Sequence, residues 1–358
     1  MQKGNINRLI IEIIIMLLVS LVMIYSSSSI WAQYKYQNPY YFVQRQFFFV
    51  CIGLCSMIVI SKIPIAFLRK YVNVWLILSF ISLLLVLIPH VGIERNGSRS
   101  WFGFGSFLIQ PAEFFKLAMI VWTANYLSSK KKIQSLKHFY KVIVIMGLGF
   151  GLILLQPDFG TGLVMVCSIV VMLFVANVPI RYFLYLGLAG AIGLGGLIMV
   201  APYRLARILS FLDPWSDPLG SGFQIIQSMY AIGPGSLFGF GFQNSLQKHF
   251  YLPEPQTDFI FSILCEELGF VGGSLVIFLF ACIIYEGIQI ALSQKDVFNS
   301  YVVVGIIALF AIQVMINLGV VVGLFPVTGI TLPLVSYGGS SLVVILSMFG
   351  IVMNISRM

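Results

Sequence analysis

Apolar runs of roughly 17–25 residues, each long enough to cross a bilayer as a helix, recur along the whole length of this chain. The longest polar stretch, about Pro202 to Thr257, is too short for a separate soluble body. Composition agrees: 59% of residues are hydrophobic, 9% are charged and the mean hydropathy is +0.99. A soluble domain carries about 25% charged residues to wet its surface. The chain therefore reads as an all-α integral membrane protein, one transmembrane domain over 1–358.

About ten transmembrane helices are expected, at 9–29, 43–61, 71–89, 111–128, 139–156, 160–177, 181–200, 258–286, 299–323 and 334–355. A long extracytoplasmic loop, about 201–257, joins helices 7 and 8. Only Gln156-Pro157-Asp158-Phe159-Gly160 parts the fifth span from the sixth, so eight or nine spans also fit. Lys3 and Arg8 ahead of the run from Leu9 to Tyr25 imitate a secretory signal. The run is long and no small-x-small cleavage site follows, so it is read as a retained first span. The glycines from Gly187 to Gly196 read as helix packing. Cys51 and Cys55, one helical turn apart, read as packed thiols; neither disulfides nor zinc are expected from the five cysteines.

Basic residues give the orientation. With the N-terminus inside, the cytoplasmic side holds most of the 21 Lys and Arg, leaving Lys35, Arg45, Arg95, Arg99, Lys116, Arg204, Arg207 and Lys248 to the outer side or the membrane. That is the positive-inside pattern, with both termini cytoplasmic. The net charge of +9 is thus a topology signal. Dispersal of the basic residues over short loops argues against nucleic acid as a partner. Most of the twelve acids fall on the outer face, which points to an extracytoplasmic active site.

Three outer segments carry candidate chemistry. In the first, Glu94 to Trp101 leads through Gln110-Pro111-Ala112-Glu113 into the fourth span. Pro111 suits a first helical turn, and Glu113 there favours the positive dipole end. Lys116, one turn on, pairs with Glu113 or meets a ligand. The second is the long loop with Arg207, Lys248 and a glycine series, which is aromatic enough to pack along the membrane surface. Thr257-Asp258-Phe259 ends it. Asp258 is either a helix N-cap or a carboxylate at the edge of the apolar phase, where desolvation makes a general base. Glu266 is eight residues on, about 12 Å along a helix, which is beyond the spacing of a paired-carboxylate hydrolase. Glu266 and Glu267 are expected to bind basic partners in the bundle. In the third segment, Pro326 to Pro333 breaks the apolar pattern before Ser336-Tyr337-Gly338-Gly339-Ser340. Irregular backbone at membrane depth lines a cavity or is buried in protein. Here it reads as a cleft wall or, equally, as small-residue packing.

Together and in this order, these stretches resemble the SEDS family of peptidoglycan glycosyltransferases (FtsW, RodA and SpoVE). The matching residues are Asn96-Gly-Ser-Arg-Ser-Trp101, Gln110-Pro-Ala-Glu113, Gln156-Pro-Asp-Phe-Gly160, Asp213-Pro-Trp215, Gly222-Phe-Gln224, Pro253 to Ile260, Pro326 to Pro333 and Ser336 to Ser340. Ala112 stands where the family commonly has serine. Leu219 to Gln227 and Tyr251 to Asp258 are most similar to the FtsW and SpoVE branch. The resemblance implies polymerisation of lipid II into glycan strands at the outer face of the cell membrane, for division or sporulation. It implies a class B penicillin-binding protein as partner, with other division or sporulation membrane proteins and membrane lipid around it. It makes Asp258 the catalytic base. The departing pyrophosphate needs positive charge, from fixed cations or from a divalent cation (Mg or Mn). Arg99, Arg207, Lys248 and, more weakly, Lys116 are the cation candidates. Gln110, Glu113, Ser336, Gly338 and Gly339 are the other substrate-binding candidates. The alternatives are a lipid II flippase and a non-catalytic scaffold for a penicillin-binding protein.

Overall fold

A computed structural model describes residues 2–95, 97–104, 107–129, 136–200, 205 and 209–357. Each of the ten predicted spans meets a helix, and the boundaries follow local breakers. Helix α1 (Gln2–Tyr36) outruns its predicted span at both ends and stops just before Asn38-Pro39, where proline disfavours helical backbone in the residue before it. Helix α2 (Tyr41–Ile60) ends ahead of Pro64, which in turn opens the short α3 (Ile65–Lys70). Helix α4 (Val72–Leu85) completes the first group.

The stretch read as loop before the fourth span is instead a small antiparallel sheet in the order β1 (Ile93–Arg95), β2 (Ser98–Phe104), β3 (Phe107–Ile109). Glu94 pairs with Arg99 and Phe102 with Ile109 in its register. Then come α5 (Pro111–Ser128), with Pro111 in its first turn as expected, α6 (Leu136–Leu154), α7 (Phe159–Val175) and α8 (Ile180–Val200). The long loop is partly ordered into α9 (Phe223–Ile232), which packs on the bundle through Ser228. Ser228 Oγ shares a 2.8 Å bond with Ser262 Oγ and donates to the Val321 carbonyl at 2.7 Å. The last helices are α10 (Ile260–Leu292), α11 (Val297–Val321) and α12 (Gly339–Ile355).

Helix α11 lies at the centre, against α5, α7, α10 and α12. Phe310 on it bridges Phe280 of α10 and Phe349 of α12, with ring centroids 5.8 and 5.2 Å apart. Helix α12 runs along α2, where Gly350 admits the Met57 backbone; a Cβ there would come within 2.6 Å of its carbonyl oxygen. This is close approach by a small residue, the means of helix association in lipid. Helices α1, α2, α10 and α11 are each long and apolar enough to cross a bilayer, and α4, α6, α7 and α12 are shorter apolar helices. The chain is a multi-pass, all-α membrane protein.

Two sequence readings need correction. Gly187, Gly190, Gly193, Gly195 and Gly196 of α8 pack against nothing among the described residues, since a Cβ at each would meet open space. Cys51 and Cys55 sit on exposed faces of α2 rather than in packed contacts. Length and periodicity find a helix; they do not say which of its faces finds a neighbour.

Helix α10 is broken at Gly269, whose φ of 65° and ψ of −164° suit glycine alone. The break frees backbone groups inside an apolar bundle, and the long loop satisfies them. Phe240 N donates to Glu266 O at 2.9 Å and Gly241 N to Glu267 O at 3.0 Å. In return Phe270 N reaches Ser236 O at 2.9 Å and Val271 N reaches Leu237 O at 3.1 Å.

Candidate active site

Two proline-broken segments meet beside α11, and their backbones are stapled together. Pro253 and Pro255 keep 253–258 out of helix, and Pro326 and Pro333 do the same for 326–338. Ser336 Oγ donates to the Thr257 carbonyl at 2.6 Å, and Tyr337 N donates to the Gln256 carbonyl at 2.9 Å. From α11, Asn317 Nδ2 donates to the carbonyls of Asp258 (2.8 Å) and Ile330 (2.7 Å). Gln313, one turn away, donates through Nε2 to Thr331 O at 3.1 Å.

These staples leave the Asp258 side chain half-buried on the wall of a cleft of about 740 Å³. Its carboxylate faces Gly329; a Cβ on that glycine would stand 3.8 Å from Asp258 Oδ2. Asp258 stands one residue ahead of the N-cap position of the helix that follows. Helix α10 begins at Ile260 with Phe259 at the N-cap position and no side-chain cap bond.

Across the cleft lie the first turns of α5 and α7. Gln110 Nε2 donates to Asp158 Oδ2 at 2.6 Å, while Asp158 Oδ1 caps α7 by accepting from Thr161 N at 3.1 Å. Lys116 Nζ meets Glu113 Oε1 at 2.9 Å, with side chains 2% and 5% exposed. The pair is the usual means of keeping charge inside a membrane. Glu113 Oε2 has no hydrogen-bond partner among the described residues. A third wall comes from α2 and the end of α1. Arg45 donates to the Tyr41 hydroxyl and lies over its ring, 5.2 Å from the centroid. Tyr41 stacks on Tyr36 at 3.8 Å, and Phe42 meets Tyr337 edge-on at 5.0 Å.

Of the residues singled out from sequence, Asp258, Gln110, Glu113, Lys116, Gly338 and Gly339 line this one cleft. Ser336 sits behind it, holding Thr257 and the Leu332 amide (2.9 Å). Arg99 stands outside the lining and pairs with Glu94 on the sheet at 3.3 Å. Lys248 is buried elsewhere, 2.9 Å from Glu267 Oε1 and 3.3 Å from Ser26 Oγ, where it ties the loop to α1 and α10. Lys248 is the basic contact expected of Glu267; Glu266 instead accepts from Ser245 Oγ and from Leu246 N at 2.8 Å. Arg207 lies outside the described residues. Ala112, at the family's serine position, is fully buried and does not line the cleft.

Sequence reasoning missed Arg45, Asp158, Gln313 and Asn317. Gln313 and Asn317 had a signal: two amides four residues apart share a helix face, and polar side chains within an apolar span mark functional interiors. Among the described residues no group of three or more His, Cys, Asp and Glu side chains converges to hold an ion. The cleft cations Lys116 and Arg45 are the positive charge it offers.

The family of proteins described as "Cell cycle protein", FtsW/RodA/SpoVE, matches residues 7–358. The chain belongs to that family. It is 53% identical to Stage V sporulation protein E of Bacillus subtilis over 351 residues, covering 98% of this chain and 96% of the relative. It is 40% identical to the "Probable peptidoglycan glycosyltransferase FtsW" of Saccharophagus degradans, covering 96% and 90% of the two chains. Among solved structures, one described as "Structural coordination of polymerization and crosslinking by a peptidoglycan synthase complex" superimposes with a TM-score of 0.82. It shares 30% identity over 98% of this chain and 96% of that one. The rod shape determining protein RodA of Thermus thermophilus gives a TM-score of 0.74 at 28% identity, over 98% and 95%. Relatives of the FtsW/RodA/SpoVE family thus cover 96–98% of the chain, and the FtsW and SpoVE wording read from 219–227 and 251–258 agrees with their names.

Proposed function

We propose that this chain is a peptidoglycan glycosyltransferase that polymerises lipid II, with Asp258 as its general base. The observation that carries the reading is the position of Asp258. Its backbone is clamped by Asn317 and its neighbour Thr257 by Ser336, while its side chain lines the cleft opposite Gly329. A carboxylate held so firmly on the wall of a cleft is arranged for chemistry.

In the reaction, Asp258 takes the proton from the acceptor sugar hydroxyl as that oxygen attacks the donor's anomeric carbon. The new C–O bond forms as the bond to pyrophosphate breaks, and polyprenyl pyrophosphate leaves with inversion. The proton then passes from Asp258 to water. Lys116 and Arg45 supply fixed positive charge near the departing anion. The aromatic wall of Tyr36, Tyr41 and Phe42 offers flat apolar faces to sugar rings.

One transmembrane domain over 1–358 carries the whole site, and the cleft is extracytoplasmic. It opens at the starts of α2 and α12, whereas Lys62 and Arg357 follow the opposite ends of the same helices and Arg69 and Lys70 lie on α3, next after α2. By the positive-inside rule that opposite end, with both termini, is cytoplasmic. The synthase-complex relative supports a class B penicillin-binding protein as partner. The sporulation and FtsW relatives support a role in spore formation or division.

The deciding experiment is polymerisation of purified lipid II in detergent, with the cognate penicillin-binding protein made free of its own transglycosylase activity. Glycan strands are expected from the wild type and none from a folded Asp258→Asn. Equal product from both would remove Asp258 from the mechanism. No product from either would favour transport or scaffolding.

A further inference from the structure

Gln313 lines the cleft and is 2% exposed. Its Nε2 donates to the Thr331 carbonyl at 3.1 Å. A carbonyl only accepts, so this bond decides which end of the amide is nitrogen. Oε1 is thereby turned away from Thr331, and it has no hydrogen-bond partner among the described residues. A buried amide oxygen without a donor is destabilising, and native structures rarely keep one without a use. Thr328 Oγ1 and Glu113 Oε2, on the same lining, also lack partners among the described residues.

The surroundings narrow the chemistry. Val327 and Ile330 line the same cleft, and Ile330 directly precedes the Thr331 that Gln313 holds. An acceptor-only oxygen in a cleft whose wall also carries aliphatic side chains matches a group that presents an N–H next to a methyl. An acetamido group is that group. A sugar hydroxyl matches less well, because it both donates and accepts and is equally served by the Thr328 hydroxyl or by water.

We propose that Gln313 Oε1 accepts a hydrogen bond from the acetamido N–H of an N-acetylated amino sugar and so makes the cleft selective for such sugars. This rests on the glycosyltransferase reading and adds a specificity-determining residue to it. A site built around such a bond rejects the analogue that lacks the donor, because the protein oxygen then stays unpaired.

The test compares lipid II with two analogues, each carrying an O-acetyl ester in place of one of its two acetamido groups. The ester keeps the carbonyl and methyl and removes only the N–H. The full chain is used with its penicillin-binding partner. The wild type is expected to lose about 10- to 100-fold in kcat/KM on one analogue, which also says whose acetamido is read. Gln313→Met is expected to slow native lipid II by a similar factor and to treat it and that analogue alike. Gln313→Glu loses the donor to Thr331 but keeps acceptor oxygens, so it retains the discrimination. Equal rates on lipid II and both esters in the wild type would overturn the proposal while leaving the glycosyltransferase reading intact. Discrimination that persists in Gln313→Met would overturn it too. The wild-type ester comparison needs no variant, so a misfolded Gln313→Met does not shield the proposal. A wild type inactive on lipid II itself would instead sink the underlying reading.

Discussion

Asn317 Nδ2 donates to the Asp258 carbonyl at 2.8 Å and to the Ile330 carbonyl at 2.7 Å. One buried amide on α11 thus fixes the backbone of the candidate base and the segment its carboxylate faces. Replacing it with leucine would strip two carbonyls of a donor, about 1–3 kcal/mol for each group left unsatisfied. It would also free Asp258 to drift, and misplacement of a reacting group by about 1 Å costs roughly 100-fold in rate. Asn317→Leu is therefore expected to lower kcat for lipid II polymerisation far more than it lowers affinity. A detergent melting curve run beside the assay separates this from unfolding. A folded Asn317→Leu with wild-type kcat would show that Asp258 is positioned by other means.

The Glu113–Lys116 pair makes a different prediction, because both charges are almost completely buried. Removing one partner of such a pair leaves an uncompensated charge, at about 3–5 kcal/mol, whereas removing both is often nearly neutral. Lys116→Met should melt well below the wild type. Glu113→Gln combined with Lys116→Met should recover much of that loss yet remain slow in polymerisation, since the cleft has lost a cation. Full activity in the stable double variant would make the pair purely structural.

Lys248 should behave as a structural residue and not as a ligand of pyrophosphate. It is 3% exposed and spends its charge on Glu267, which also accepts from Ser26 Oγ at 2.6 Å. Lys248→Met is expected to lower the melting temperature and to speed proteolysis within 236–251, and Glu267→Gln in the same chain should restore part of both. An increase in KM for lipid II without any loss of stability would return Lys248 to the substrate.

How much of this was legible beforehand depends on what each feature requires. The spans were legible because crossing a bilayer demands a long apolar run, and that demand is met locally in sequence. The sheet at 93–109 was not, since two of its strands have three residues each and carry no period long enough to see. The start of α10 slipped from Asp258 to Ile260 because the prolines bar a helix without saying where the next one begins. Asp258 was found as a carboxylate at the membrane edge, but which residues share its cleft depends on tertiary contacts that the sequence does not display. Lys248 and Arg45 show the main gap. Both are cations in the outer half of the chain, and only tertiary contact reveals that Lys248 is neutralised by a residue 19 positions away while Arg45 enters the cleft.

The glycines give the sharpest contrast between sequence and structure. Gly269 breaks α10 at φ 65°, and a Cβ there would come within 2.4 Å of Gly239 N. Gly239 is itself at φ 73°, and a Cβ on it would lie 2.2 Å from the Glu267 carbonyl oxygen. Backbone atoms cannot swing aside as side-chain ends do, so alanine at either site must push the loop off the helix. The bonds from Phe240 N and Gly241 N to the Glu266 and Glu267 carbonyls would then open. Gly190 on α8 looks the same in sequence but meets nothing within 4 Å. Alanine there removes backbone freedom from a helix interior and should be neutral or stabilising, by up to about 1 kcal/mol. Gly269→Ala and Gly239→Ala are therefore expected to melt lower and to be cut within 236–251, while Gly190→Ala melts at or above the wild type. Intact melting in Gly269→Ala would mean that the loop does not latch the break. A marked loss of stability in Gly190→Ala would mean that α8 packs through its glycines after all.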